Sequence, residues 1–350
     1  MQIIGIDEKE AWNNIIKSFP RWDVYYLNEY AKSLEVHGDG EPVLIYLKKG
    51  SERMAYIMMQ NDIGKSKLFK DILEKRKYFD WTTPYGYGGP LYDGQITDKW
   101  MKDCMDQVYD YAKKNNIVSQ FFRFHPLLQN QKPMENVSRV IYTKKTIYID
   151  TSSQETLIKN MTPNNRNMVR KSKKKGVEIF YDYGEHIGNF KEIYRKTMKM
   201  HEADDYYNFE DDYFEYLISQ MKKNIIIFYA KYEGKIISSS IFFYNNRYMH
   251  YHLSGTLPEY RGIAAANLLL TEASLWAYEH GIQMLHLGGG VEAEDSLLRF
   301  KKHFNRNGII DFCIGANIFN AEEFDYLVNI RKKHDESFDD KKKFMILYRA

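Results

Sequence analysis

The chain has 350 residues, 44% of them hydrophobic and 28% charged, a balance that excludes disordered and collagen-like architectures and leaves room for two domains of ordinary size. Fifty basic side chains against 47 acidic ones leave a formal charge of +3, so a bulk attraction for nucleic acid is excluded while a local basic patch is not. Two cysteines, Cys104 and Cys313, cannot build a disulfide framework or a four-sulfur zinc site.

No stretch approaches the roughly 20 uninterrupted apolar residues of a spanning helix. The first residues turn acidic by Asp7 and lack a basic lead with an apolar signal core. A soluble, cytoplasmic protein without stable membrane insertion is expected.

Residues 1–6 read as a short strand and 7–19 as a helix with an acidic first turn. Residues 42–60 hold two apolar runs joined by a polar turn containing Gly50, a hairpin pattern. A long helix over 98–115 and a strand over 119–125 follow. The same order returns downstream: a hairpin over 225–244 with Gly234 in its turn, a helix over 264–281, and a strand over 283–288. Such repetition points to divergent duplication, each copy a mixed α/β layer. The division is placed near residue 150, giving domains at 1–148 and 149–319. Thr162 followed by Pro163 reads as a cap and first helical residue. The tail predicts a helix over 321–336 and a closing strand over 344–350.

Residues 248–307 are the richest in chemical meaning. A strand ends at a glycine, a turn of small residues runs straight into a helix, and a second strand and helix follow. Backbone N–H groups at a helix start can hold pyrophosphate oxygens, and small residues let those oxygens approach. Two parallel strands that part beside such a helix would admit an acyl group.

The stretch 260–270, YRGIAAANLLL, resembles the acyl-carrier loop of the GNAT acyltransferase superfamily, R/Q-x-x-G-x-G/A. Arg261 fills its first position, Ala264 stands where the first glycine is usual, and Ala266 fills the last. YHLSGT at 251–256, WAYEHG at 276–281, LHLGGG at 285–290 and LLRFKKHFN at 297–305 together resemble the C-terminal half of the Fem family. These are non-ribosomal peptidyl transferases that add amino acids to cell-wall precursors, and the likeness is greater to their acetyltransferase-like relatives. Residues 162–179 resemble the family's R-x-x-[IV]-R-K-[AS]-x-K-x-G-V segment, through Arg166, Val169, Arg170, Lys171, Lys174 and Gly176. WTTPYGYGGPL at 81–91 and RFHPLL at 123–128 fit the same branch. The resemblance implies an α/β fold of tandem GNAT-like domains, the last segment, 320–350, returning to the first. The helical-hairpin insertion that some Fem members use for tRNA has no candidate here.

From the resemblance, Arg261, Gly262, Ile263, Ala264, Ala265 and Ala266 are expected to hold the pyrophosphate of the acyl carrier. Phe300 stands where many GNAT enzymes have a tyrosine acid, and the F-K pair of Fem-type enzymes carries an oxyanion-stabilising role over to Lys301. His252 is the expected general base, among three strand histidines that include His250 and His286. Glu292, Glu294 and Asp295 are alternatives, although Asp295 also suits a helix cap. Arg166 and Arg170 lie one helical turn apart and suit the acceptor's phosphates. Tyr85 and Tyr87, in a Gly/Pro-rich loop, and Tyr251 are expected substrate contacts. No metal is expected, since no carboxylate or cysteine sits at ligand spacing.

These residues favour an N-acyltransferase that moves an acyl group from acetyl-CoA or another acyl-CoA to an amine of a cell-wall or surface-glycan precursor, nucleotide-linked or lipid-linked. An aminoacyl-tRNA donor acting on a peptidoglycan precursor is the first alternative. A non-catalytic binder of an anionic polymer is the second.

Overall fold

The computed structural model describes residues 1–290 and 295–350. The chain divides into two compact units, Met1–Thr143 with Phe312–Ala350, and Lys144–Asp311.

The first unit opens with β1 (Gln2–Gly5), α1 (Lys9–Lys17) and α2 (Asn28–His37), the last being a helix the sequence reading did not identify. The hairpin β2 (Glu41–Lys49) and β3 (Glu52–Asp62) comes next. Its two-residue loop puts Gly50 at φ 71°, the place where a type II′ turn requires a residue without Cβ. β4 (Phe79–Thr82), β5 (Leu91–Asp93), α3 (Asp98–Lys114) and β6 (Ile117–Arg123) follow. The chain leaves this unit within β7 (Arg139–Asp150).

The second unit continues with α4 (Gln154–Asn160), α5 (Pro163–Lys174), β8 (Glu178–Asp182), α6 (Ile187–Met200) and α7 (Asp211–Gln220). Ser153 caps α4, and Thr162 caps α5 by accepting from Asn165 N–H, with Pro163 as its first residue. Then come the hairpin β9 (Ile225–Tyr232) and β10 (Lys235–Tyr244), β11 (Tyr248–Thr256), α8 (Ala265–Glu279), β12 (Met284–Gly289) and α9 (Ser296–Lys302). Glu233 and Gly234 both have positive φ in the hairpin loop, the type I′ geometry. The strands order as β7-β12-β11-β10-β9-β8. Leu269, Ala273, Trp276 and Ala277 of α8 are buried with Ile226, Phe228, Phe242, Met249 and Leu285 of this sheet. α8 is covered on further sides too, since Leu268, Thr271 and Ser274 are also buried. α5 packs along it, with Asn267 Nδ2 donating to Asn165 Oδ1 at 2.7 Å and Lys173 paired with Glu272 at 2.8 Å.

β13 (Ile309–Ile318) brings the chain back, and α10 (Ala321–His334) follows. The first unit's strands order as β1-β2-β3-β4-β6-β13, with β5 on β3. The closing strand expected over 344–350 is absent: Leu347–Arg349 form a single 3-10 turn. Side-chain capture replaces a ladder there. Arg349 donates twice to the buried Asp80 carboxylate, at 2.8 Å each, and Tyr348 Oη donates to it at 3.0 Å. Among the described residues, no helix is long and apolar enough to cross a membrane.

Candidate active site

β11 and β12 run parallel but pair at only three positions: Tyr248 with Met284, Met249 with Leu285, and His250 with His286. Beyond these, β11 stays with β10 as far as Thr256, while β12 follows β7 to Gly289. Each strand carries a bulge where they part. On β11, Tyr251 and Leu253 oppose the consecutive Phe242 and Ile241, so His252 is the extra residue. On β12, His286 and Gly288 oppose Tyr148 and Ile147, so Leu287 is extra. A bulge bends its strand and ends regular pairing, so two of them side by side open a wedge between the strands.

The far end of β12 depends on glycine. Gly288 has φ 74°, which L side chains rarely adopt. A Cβ on Gly289 would meet Lys145 O at 2.8 Å, and one on Gly290 would overlap the Asp295 carboxylate. That carboxylate caps α9, accepting from Leu298 N–H at 2.7 Å.

Lys301 sits in the last turn of α9 and reaches into this region. Its Nζ donates to Gly289 O at 2.6 Å and lies 5.9 Å from the Tyr251 ring centroid. The side chain is only 6% exposed. Burial lowers its pKa from 10.5 to about 7; the Lys144 charge adds to this and Asp295 opposes it. Tyr251 hydrogen-bonds with Ser254 and Ser240, yet burial still raises its phenol pKa. Neither serine was singled out from the sequence. A hydroxyl on the inward face of an apolar strand was the available signal.

The small-residue turn follows the C-terminal end of β11, the end at which the strands part. Pro258–Ile263 form a 3-10 turn, and Ala264 caps α8 from the left-handed region, φ 61° and ψ 32°, with no side-chain cap. The position that carries glycine in the resembling loop is thus one where the backbone itself calls for glycine. Ala264 N–H closes the turn onto Arg261 O at 3.2 Å. The donors left at the helix start are those of Ala265 and Ala266. Gly262 and Arg261 are exposed, and Arg261 Nη2 lies 2.9 Å from His201 Nε2.

Other expected site residues are not gathered here. His252 faces away from Tyr251: its ring lies tilted against Phe243, centroids 4.2 Å apart, and Nε2 meets Tyr213 Oη at 3.2 Å. Burial first, and then His250, push its pKa down to about 3, far too low for an effective base near neutrality. Arg166 folds back onto α4, where Nη1 donates to Met161 O at 2.6 Å and Ile158 O at 3.3 Å. Arg170 is exposed and touches Asn167 Oδ1 at 3.2 Å. Tyr85 and Tyr87 belong to the first unit. Tyr85 O accepts from Tyr30 Oη, and Tyr87 sits edge-on to Tyr25 and Phe312. Glu292 and Glu294 lie outside the described residues.

The corresponding place in the first unit is closed. β4 and β6 stay paired through Thr82 and Phe121, and Thr83 N–H continues onto Phe121 O. α3 begins with a Thr97 side chain that already occupies Trp100 N–H and with Asp98, whose negative charge repels an anion.

Residues 163–302 match the family described as an acetyltransferase (GNAT) domain. No curated protein sequence matches the chain. Among solved structures, FemX superposes with a TM-score of 0.65 at 14% identity, covering 93% of this chain and 99% of its own. The C-terminal domain of a putative lysylphosphatidylglycerol synthetase from Agrobacterium fabrum gives 0.57 at 11% identity, covering 91% and 92%. A tandem GNAT protein from the clavulanic acid biosynthesis pathway gives 0.52 at 9% identity, covering 91% and 98%. These likenesses show the tandem GNAT fold.

Proposed function

We propose that this chain, an acyltransferase whose residues 163–302 form a GNAT domain, transfers an acyl group from acyl-CoA to an amine of a cell-envelope precursor. One observation carries the reading: two parallel strands part after three residue pairs, with the Lys301 ammonium held on Gly289 O beside the opening. The wedge takes the acyl chain. The uncapped start of α8, at Ala265 and Ala266, receives the carrier's pyrophosphate. When the acceptor amine attacks the thioester carbonyl, negative charge develops on its oxygen, and Lys301 is the cation within reach. The C–S bond then breaks, CoA leaves as the thiolate, and the proton shed by the new amide nitrogen passes to that thiolate or to solvent. Phe300 cannot serve as the acid, so Lys301 carries the electrostatic work.

CoA is favoured over charged tRNA because part of the basic stripe, its first arginine included, is already engaged within the fold, although Arg170 stays exposed. Arg166 is spent on α4 carbonyls and Lys173 on Glu272. An envelope acceptor is supported by two neighbours' names, FemX and a lysylphosphatidylglycerol synthetase. The test is thiol release from acetyl-CoA and longer acyl-CoA in the presence of amine-bearing nucleotide- or lipid-linked envelope precursors, with charged tRNA in a parallel arm. Turnover with a CoA thioester supports the reading. Turnover with charged tRNA alone overturns the donor assignment.

A further inference from the structure

Two lysines, from opposite sides, grip neighbouring carbonyls at the end of β12. Lys301 reaches Gly289 O at 2.6 Å from α9, and Lys144 reaches Gly290 O at 3.0 Å from β7. Both carbonyls belong to the glycine run whose bare backbone lets β7 and Asp295 close in. We infer that Lys144 is a positioning residue for Lys301: by holding Gly290 O it fixes the stretch of backbone that presents Gly289 O to the Lys301 ammonium beside the wedge. This rests on the catalytic role proposed for Lys301.

The physical case has two parts. An ammonium has three donors and settles between any acceptors within reach. By pinning the adjacent peptide at Gly290 O, Lys144 keeps Gly289 O aimed at Lys301, and that anchor fixes the ammonium's direction. The second part is electrostatic. Among the described residues, the groups around Lys301 are the Tyr251 ring on β11, the Asp295 carboxylate at the start of its own helix, Lys302 next in sequence, and Lys144 on β7. Asp295 alone among these is an anion, and it is engaged with Leu298 N–H. Burial is the main reason the Lys301 pKa is lowered, Asp295 opposes it, and the like charge of Lys144 adds to the lowering, so one substitution perturbs both geometry and titration. Lys145, the next residue along β7, is paired with Asp311 instead and serves as the control.

The experiment follows the side-chain carbon next to Nζ by NMR in the full chain carrying labelled lysine, with the Lys301 signal assigned from Lys301→Met. Removing the charge in Lys144→Met should raise the Lys301 midpoint by about half a unit or more. Lys144→Arg should restore it, and Lys145→Met should leave it unmoved. In turnover with acyl-CoA, the alkaline limb of the pH profile should move with the midpoint, kcat should fall several-fold and the Michaelis constants should hold. A kcat loss without a titration shift would make Lys144 merely structural and overturn the inference, as would an equal shift in Lys145→Met. Should no donor be turned over, the functional reading fails, and the titration still decides what Lys144 does to Lys301.

Discussion

Replacing Lys301 with Met should cost activity and gain stability, the gain depending on pH. The stem survives in methionine, so packing is kept and only the charge is lost. Turnover should fall about 100- to 1000-fold, as for loss of an oxyanion donor, with Michaelis constants little changed. The stability effect follows from the displaced pKa, about 7 in the fold against 10.5 for a free lysine. Between those values the unfolded chain binds more protons than the native one. Wild-type stability therefore rises with pH across that window and is flat below it. Below pH 7 the buried charge withholds about 3–5 kcal/mol. Orphaning Gly289 O returns about 1–2 kcal/mol of that to the deficit. Lys301→Met should thus gain a net ~2–3 kcal/mol at pH 6, and the gain should vanish by pH 10. Urea denaturation at pH 6, 8 and 10, read alongside turnover, checks both halves. A gain independent of pH, or a loss at pH 6, would refute the claim that this lysine is held charged against its solvation.

Ala264→Gly should change stability by less than about 1 kcal/mol, since relief of a positive φ is offset by the entropy of the unfolded chain. It should bind acetyl-CoA more tightly by calorimetry; unchanged affinity would mean the alanine methyl does not crowd the carrier. Arg166→Met should destabilise by about 1–2 kcal/mol through the two α4 carbonyls it now satisfies. The acceptor's Michaelis constant should not move, and a rise at low salt would return Arg166 to the binding site. Arg349→Met should cost about 3–5 kcal/mol in urea melts, because it strands a carboxylate that is 2% exposed. Asp80→Asn in the same chain should recover part of that, and a single-variant loss below about 1 kcal/mol would show the pair to be screened by solvent.

Much of the frame could be read from residue order. Hairpins at Gly50 and Gly234, the Thr162 and Asp295 caps, and the strand–turn–helix at 248–281 each rest on local chemistry, and each forms where expected. Three things could not be read this way. The wedge comes from two bulges, and one extra residue in a ladder leaves no mark in composition. His252 takes its place from that bulge and from α7, whose Tyr213 is 39 positions away. The apolar run at 344–347 looked like a strand, but Asp80 claims the two residues that follow it, and a buried carboxylate outweighs a propensity. Arg166 matched a motif, yet the carbonyls ending α4 lie closer than any ligand.

The first unit is discontinuous, and this has a consequence for the order in which the protein is made. A ribosome releases residues 144–311 as one uninterrupted stretch, whose sheet can be completed as soon as it emerges. The earlier half must wait with β6 uncovered until β13 arrives, and Asp80 must wait 269 positions for Arg349. Its contacts are thus of the longest range the chain offers, and long-range closure is slow. Once residue 311 has emerged, the molecule carries a complete second unit and a first unit whose strand edge stays open until β13 pairs with β6. That interval is when aggregation threatens and chaperones matter most.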